Sequence, residues 1–193
     1  MKLVIMGPPG AGKGTQATVI GERLGVPAIS TGDIFRTNVT EQTPLGVAAK
    51  RYLDAGDYVP DEITNDMVRD RLAQQDAANG FLLDGYPRTV AQVEELDSML
   101  ADRGVALDAV VVLTVDKDEV VDRLARRARD EGRSDDTAEV IRHRQDLYAE
   151  QTAPLVEVYD ARDLLVRVDG MGAVDEVTDR VLGALGQTGV STA

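Results

Sequence analysis

The chain has 193 residues, 43% of them hydrophobic and 28% charged, which is typical of one globular core carrying small inserts. It has no cysteine and a single histidine, His143, which excludes disulfides, cysteine-bound zinc and histidine-cluster metal sites. The net charge of −13 disfavours a nucleic-acid partner, because such a surface repels a phosphate backbone.

Five short apolar runs predict strands, and these lie at 2–6, 27–29, 80–84, 109–115 and 164–168. Between them, helical periodicity marks 13–24, 31–54 in pieces, 61–75, 89–103, 117–128, 137–160 and 173–185. Because apolar strands alternate with helices, we expect an α/β fold in which helices cover both faces of a parallel sheet. Ligands of such sheets bind beyond the carboxyl ends of the strands.

No segment of the chain predicts a membrane span or a signal peptide. The apolar run at 3–6 is too short for a signal peptide and ends in a glycine-rich turn. No stretch reaches the roughly 20 apolar residues of a membrane helix. We therefore expect a cytoplasmic protein without a membrane partner.

Two segments depart from the alternating pattern. Residues 30–60 contain several short helical patterns and no strand, and residues 126–136 are so charged that they have almost nothing to bury. Both are expected to be inserts over the binding crevice. The predicted organisation is one core, 1–193, with inserts at 30–59 and 126–136.

A phosphate-binding loop follows the first strand. The sequence GPPGAGKGT at 7–15 matches the pattern G-x-x-x-x-G-K between a strand and a helix. Glycines let backbone N–H groups surround an anion, the helix N-terminus adds positive charge, and Lys13 brings a full charge. The loop predicts nucleotide phosphate binding without indicating which reaction follows. The predicted contacts are Gly10, Ala11, Gly12, Lys13, Gly14 and Thr15.

This loop lacks the hydroxyl that usually holds Mg²⁺, and a nearby carboxylate indicates where the metal could be held instead. Gly14 stands where most such loops have the serine or threonine that holds Mg²⁺ directly. Thr15 is the nearest hydroxyl. Asp84 closes the strand FLLD and is the better candidate, because a carboxylate there adjoins the loop and can hold Mg²⁺ through water. The alternative is that Asp84 is an ordinary turn or cap residue.

Three motifs together resemble a known enzyme family. The loop at 7–15 and the sequence DGYPRT at 84–89 resemble the nucleoside monophosphate kinases, and STGDIFR at 30–36 narrows the resemblance to adenylate kinases. The charged stretch at 126–136 resembles the lid of the short-lid bacterial type. The resemblance covers nearly the whole chain. It implies a P-loop three-layer fold with a five-stranded parallel sheet, a small helical AMP-binding insert and a short lid. It also implies the reversible reaction ATP + AMP = 2 ADP, Mg²⁺ bound with ATP, no zinc, a monomer, and a role in adenine nucleotide homeostasis.

The resemblance implies an AMP site between residues 30–59 and the segment 84–92. Thr31 would contact AMP, and Arg36 and Arg88 would grip its phosphate from two sides. The backbone at 57–59 would flank the adenine, whose edge Gln92 would bind. The full implied set is Thr31, Arg36, Asp57, Tyr58, Val59, Gly85, Tyr86, Pro87, Arg88, Gln92, Arg133 and Arg144.

The resemblance also implies an ATP site bordered by the lid. Arg127 would stack on or near ATP, and Gly172 would offer its backbone beside the base. The catalytic group would comprise Lys13, Arg88, Arg123, Arg133 and Arg144, with Asp84 organising Mg²⁺. The stretch 128–131 looks about four residues longer than in other short lids, so the choice among Arg126, Arg127 and Arg129 stays open.

Two alternatives remain at this point. A UMP/CMP kinase would share the fold, but those relatives usually lack a threonine like Thr31 and bind the base with asparagine where this chain has Gln92. A non-catalytic nucleotide-binding switch is the second alternative. A GTPase-type switch would need a hydroxyl at the Gly14 position and an N-K-x-D motif, and the chain has neither.

Overall fold

A five-stranded parallel sheet forms the centre of the computed structural model, which describes residues 1–116, 119–120, 123–124 and 137–187. The strands are β1 (Lys2–Met6), β2 (Ala28–Ser30), β3 (Phe81–Asp84), β4 (Ala109–Thr114) and β5 (Leu165–Asp169). They lie in the order β2-β3-β1-β4-β5, with every neighbouring pair parallel. The predicted sheet is thereby confirmed.

Helices cover both faces of the sheet. They are α1 (Lys13–Leu24), α2 (Thr31–Thr40), α3 (Pro44–Ala55), α4 (Asp61–Leu72), α5 (Val90–Ala101), α6 (Ala138–Leu147), α7 (Leu155–Asp160) and α8 (Val174–Gln187). A 3₁₀ turn spans Gln75–Ala77, a π-helical turn spans Tyr148–Thr152, and residues 119–120 and 123–124 are helical.

The two sheet faces bury separate apolar clusters, because successive side chains of a strand point to opposite faces. Leu3 and Ile5 of β1 pack with residues of α1 and α8, whereas Val4 and Met6 pack with residues of α4, α5 and α7. The result is a three-layer arrangement with the core on both sides of the sheet. It places the carboxyl ends of β1 and β3, at Met6 and Asp84, on one edge.

Local sequence explains where several helices begin. The side chains of Ser30, Thr43, Thr89 and Thr137 each accept a hydrogen bond from the backbone N–H three residues later. No side chain caps α1, whose N-cap is Gly12.

The structure differs from the sequence expectation in detail. The helical pattern at 137–160 is divided into α6, the π-helical turn and α7, with Pro154 at the N-cap of α7, since proline has no N–H with which to continue a helix. Ser30 belongs to β2, so the strand-free segment begins one residue later than expected. Residues 126–136 lie outside the described residues, and the division into a core and two inserts stays a prediction. In the described ranges, no helix is both long and apolar enough to cross a membrane.

Candidate active site

The loop between β1 and α1 has a backbone that only glycine adopts easily. Gly10 and Gly12 have φ of +88° and +85°, in the left-handed region. A β-carbon on Gly10 would lie 2.9 Å from Leu124 Cγ and 3.0 Å from Val120 Cγ1. Gly12 is the N-cap of α1, whose first turn has no side-chain cap, and such a helix N-terminus can bind an anion through its backbone N–H groups.

Lys13 is held across this loop. Its Nζ donates to the carbonyl oxygens of Gly7, at 2.7 Å, and Pro8, at 3.0 Å. Asp84, at the carboxyl end of β3, is 9% exposed, and a β-carbon on Gly14 would lie 3.6 Å from its Oδ2. A cation and a carboxylate therefore stand beside the start of α1.

A cavity of about 650 Å³ opens at this edge of the sheet. Five of its lining side chains are cationic and two are carboxylates, although the whole chain carries a net charge of −13. The cations are Lys13, Arg36, Arg88, Arg123 and Arg144, and the carboxylates are Asp33 and Asp84. The cations come from four separate helical segments and from the segment after β3, and a concave site of this sign attracts polyanionic ligands.

Three arginines of this cavity have partners that a phosphate can replace. Arg36 pairs with the exposed Asp33 at 2.5 Å, and Arg123 Nε donates to Glu119 Oε1 at 3.0 Å. Arg88 Nε donates to the Gly85 carbonyl at 2.7 Å. Exposed ion pairs contribute little, and a guanidinium gains more from a bidentate phosphate.

A second, smaller cavity lies between the 30–59 segment and the start of α5. It measures about 40 Å³ and is lined by Thr31, Gly32, Phe35, Leu53, Asp57, Tyr58, Val59, Thr64, Gly85, Arg88 and Gln92. Because Gly32, Gly85 and Arg88 also line the large cavity, the two are adjacent. The Thr31 hydroxyl is buried here and donates to the Gly85 carbonyl at 3.0 Å.

A third cavity, of about 320 Å³, lies on the other side of the loop. It is lined by Gly12, Thr15, Arg123 and Gly172, among others. Gly172 has φ of +110°, and Arg180 fixes the turn around it by donating to the carbonyls of Asp169 and Met171. Arg123 Nη1 donates to the neighbouring Gly170 carbonyl at 3.3 Å and lines both large cavities, which joins them.

Several known proteins are closely similar to this chain in sequence. A model of the family described as adenylate kinase matches residues 5–164. The chain belongs to the adenylate kinase family. An adenylate kinase from Nocardioides sp. is 70% identical over 185 residues, which cover 96% of this chain and 97% of that protein. Adenylate kinases from Kocuria rhizophila and Thermobifida fusca are 64% and 60% identical, over 95% and 96% of this chain and 98% of each relative.

Family membership confirms the resemblance found in the sequence. As a member of the adenylate kinase family, the chain is a phosphotransferase of the nucleoside monophosphate kinase class, and the UMP/CMP kinase and switch alternatives are not favoured.

Most residues that the sequence predicted for an adenylate kinase site line the three cavities. Pro87 lines a fourth cavity, together with Lys13 and Arg88, and the predicted residues Tyr86 and Gln92 are almost fully buried. The Gln92 side chain is 2% exposed, its Oε1 accepts from Arg88 N at 2.7 Å, and its Nε2 donates to Asp61 Oδ1 at 2.6 Å. The Tyr86 side chain is 1% exposed and donates its hydroxyl proton to Asn65, so it is part of the core. Arg127 and Arg133 lie outside the described residues.

The structure adds site residues that sequence reasoning missed. A cavity of about 60 Å³ behind Lys13 is lined by Tyr58, Tyr148 and Thr152 as well as Arg88 and Arg144. Burial raises the pKa of Tyr148, so its hydroxyl stays protonated well into the alkaline range. No motif marks Tyr148 or Thr152 in the sequence, because their importance comes from what the fold places beside them.

Proposed function

We propose that this chain binds ATP and AMP end to end in the large cavity and transfers one phosphoryl group between them, which forms two ADP. The observation that carries the proposal is the set of five cations, Lys13, Arg36, Arg88, Arg123 and Arg144, around one cavity in a protein of net charge −13. Two nucleotides placed phosphate to phosphate need such a concentration of positive charge, and a single phosphate group does not.

ATP is assigned to the side of the 7–15 loop. Its phosphates would accept hydrogen bonds from the N–H groups at the start of α1, and its base would lie in the cavity beside Gly172 and Arg123. Arg127 and Arg133 lie outside the described residues, and the family resemblance implies that they complete this site.

AMP is assigned to the side of α2 and α3. Arg36 and Arg88 would hold its α-phosphate from two directions, while Thr31 and the backbone at 57–59 border the smaller cavity for its base. Gln92 lies at the end of that cavity, with an amide whose second N–H and second lone pair can bind an adenine edge.

The chemistry needs positioning and charge stabilisation more than covalent catalysis. An oxygen of the AMP α-phosphate attacks the γ-phosphorus of ATP. A new P–O bond forms as the bond to the β-phosphate oxygen breaks, so ADP leaves and a second ADP is made. Lys13, Arg88, Arg123 and Arg144 would stabilise the charge spread over the moving group. Closure of the 126–136 segment would exclude water and so limit hydrolysis.

Residues around Asp84 fit a magnesium ion bound together with ATP. The carboxylate adjoins Gly14 and lines the large cavity with the Thr15 hydroxyl, and both groups are hard oxygen donors of the kind that Mg²⁺ prefers. The described residues contain no group of three acidic, histidine or cysteine side chains able to hold a metal alone, so substrate phosphates would supply further ligands. When bound, Mg²⁺ neutralises phosphate charge.

The physiological setting follows from this reaction. The chain would act as a cytoplasmic monomer that binds ATP, AMP and ADP and keeps the adenine nucleotides in balance. Both the compartment and the monomeric state can be examined directly, by cell fractionation and by light scattering.

A coupled assay of ADP formation tests the proposal. The wild-type protein should form ADP from ATP only when a monophosphate is added, and AMP should outpace CMP, UMP and GMP at equal concentration. Lys13→Met should lower kcat by roughly 10³-fold or more, by analogy with the loss of other phosphate-binding cations. Lys50→Met removes an equal charge from an exposed lysine paired with Asp54 and should leave kcat unchanged.

Three results would contradict the proposal. They are ADP formation independent of AMP, a faster reaction with CMP or UMP, and full activity in Lys13→Met. Calorimetric titration with a bisubstrate mimic adds an independent measurement, since one mimic per chain should exclude both ATP and AMP.

A further inference from the structure

The Tyr58 side chain lies against the arginine that is assigned to the AMP phosphate. Tyr58 follows the end of α3, and its ring centroid is 4.8 Å from the Cζ atom of Arg88. A guanidinium over an aromatic face is attracted by the ring quadrupole, and the attraction grows as water is excluded. Both side chains are partly buried, so water is partly excluded from this contact.

A chain of two hydroxyl hydrogen bonds links the same tyrosine to the backbone of Arg88. Thr152 Oγ1 donates to the Arg88 carbonyl at 2.9 Å, and Tyr58 Oη lies 2.9 Å from Thr152 Oγ1. A threonine hydroxyl has one proton, and here it is given to the carbonyl. Tyr58 is therefore the donor to Thr152. Thr152 is 5% exposed, so little water competes for either bond.

The other contacts of Arg88 with the described residues hold its backbone and its Nε atom, and they do not involve Nη1 or Nη2. Its N–H donates to Gln92 Oε1, and its Nε donates to the Gly85 carbonyl, both at 2.7 Å. These bonds fix the backbone and the inner edge of the side chain. The ring of Tyr58 is a further contact of the guanidinium, and it limits how Nη1 and Nη2 can be turned.

We propose that Tyr58 is a positioning residue that orients Arg88 for the AMP phosphate, through its ring and through Thr152. The inference rests on the proposed function, in which Arg88 binds that phosphate. Because Tyr58 follows α3 and Thr152 ends the π-helical turn, Arg88 is correctly oriented only while these two segments are in contact.

A second tyrosine offers a matched control. Arg51 Cζ lies 4.6 Å from the ring centroid of Tyr52, on α3, and Arg51 donates to the Tyr52 hydroxyl. This pair has the same chemistry and belongs to the same segment, but its arginine is exposed and neither residue lines the cavities described above.

Steady-state kinetics of tyrosine variants test the proposal. Tyr58→Leu should raise KM for AMP about 10–30-fold, because it removes both the ring and the hydroxyl. Tyr58→Phe keeps the ring and should raise it about 3–10-fold. KM for ATP should stay within about twofold, since the hydrogen bond and the ring contact of Tyr58 are made to Thr152 and Arg88, on the AMP side. Tyr52→Leu should leave KM for AMP at the wild-type value.

A double-mutant cycle shows whether the effect passes through Arg88. Arg88→Lys keeps the charge and removes the planar group that contacts the ring. In that background, Tyr58→Leu should change KM for AMP by about threefold or less. A full additive loss would overturn the proposal, as would wild-type KM for AMP in Tyr58→Leu or an equal loss in Tyr52→Leu.

Variants of Thr152 test the proposal even if Tyr58→Leu does not fold. Thr152→Ser keeps the hydroxyl and should retain the wild-type KM for AMP, whereas Thr152→Val should raise it about as much as Tyr58→Phe. Equal KM in these two variants would overturn the hydroxyl chain. A wild-type protein without AMP-dependent ADP formation would overturn the proposed function itself, whereas an active wild type with unaffected Tyr58 variants would overturn the positioning role alone.

Discussion

Replacing Gly85 by alanine should disturb the AMP site without changing any charge. Gly85 has φ of +81°, and a β-carbon there would lie 2.7 Å from Thr31 Oγ1 and 2.9 Å from Arg88 Nη2. The Gly85 carbonyl also accepts hydrogen bonds from Thr31 Oγ1 and Arg88 Nε. One methyl group therefore pushes on two side chains that are assigned to AMP.

The size of the effect follows from these contacts. Arg88 is flexible at its end and would move away, whereas Thr31 is 2% exposed and has no free space. Losing the charge-assisted bond of Arg88 costs about 2 kcal/mol, which corresponds to about a 30-fold increase in KM for AMP. The left-handed backbone adds about 1–2 kcal/mol of destabilisation, which lowers Tm by about 2–8 °C in a chain of this size.

Gly104→Ala separates the effect on stability from the effect on KM for AMP. Gly104 has φ of +66°, and no described heavy atom lies within 4 Å of a β-carbon built there. It should share the loss of Tm, measured by thermal unfolding, and retain the wild-type KM for AMP in the coupled assay. Equal KM values for AMP in the two variants would refute the reasoning, as would a larger change in KM for ATP than for AMP in Gly85→Ala.

Three further predictions concern other parts of the molecule. Arg180→Ala releases the turn around residue 172, so it should raise KM for ATP about 3–10-fold and leave KM for AMP unchanged. Arg167→Ala is the control, because it removes an exposed arginine paired with Asp160, and it should change neither KM. Asp84→Asn should lower kcat and raise the Mg²⁺ concentration needed for half-maximal rate, with Kd for AMP measured by calorimetry unaffected; an unchanged Mg²⁺ requirement would exclude Asp84 from the metal site. Burial raises the pKa of Tyr159, so the folded protein keeps a proton that the unfolded chain releases above about pH 10. The stability from this group is complete below pH 10 and is lost as pH rises toward the folded pKa, and denaturant unfolding should show a shallower alkaline loss for Tyr159→Phe. The Tyr159 hydroxyl has no hydrogen-bond partner among the described residues, so this variant should also be at least as stable as the wild type at pH 7.

The sequence could predict features whose signals are local. The glycines and Lys13 at 7–15 specify a phosphate loop, because few other residues tolerate the backbone of Gly10 and Gly12. Serine and threonine before α2, α3, α5 and α6 mark helix starts through bonds that span three residues. The same locality explains the success of the strand predictions, since a buried parallel strand is a short continuous apolar run.

Other features depend on which segments the fold brings together. Thr152 donates to the carbonyl of Arg88, 64 residues away, and no periodicity in either segment signals that bond. The amide of Gln92 is held by Asp61 from another helix, a contact that neither the residues nor the family resemblance indicated.

The sequence by itself determined how strands and helices alternate along the chain, where the phosphate loop lies and to which family the chain belongs. The family resemblance implied that Arg88, Arg123 and Arg144 act together with Lys13. Only the tertiary structure showed that these residues line one cavity with Arg36, and that Tyr58 contacts Arg88. The physical reason is that hydrophobic periodicity and backbone strain act within one segment of the chain. The direction of a charged side chain depends instead on sheet register and helix packing, which join segments far apart in sequence.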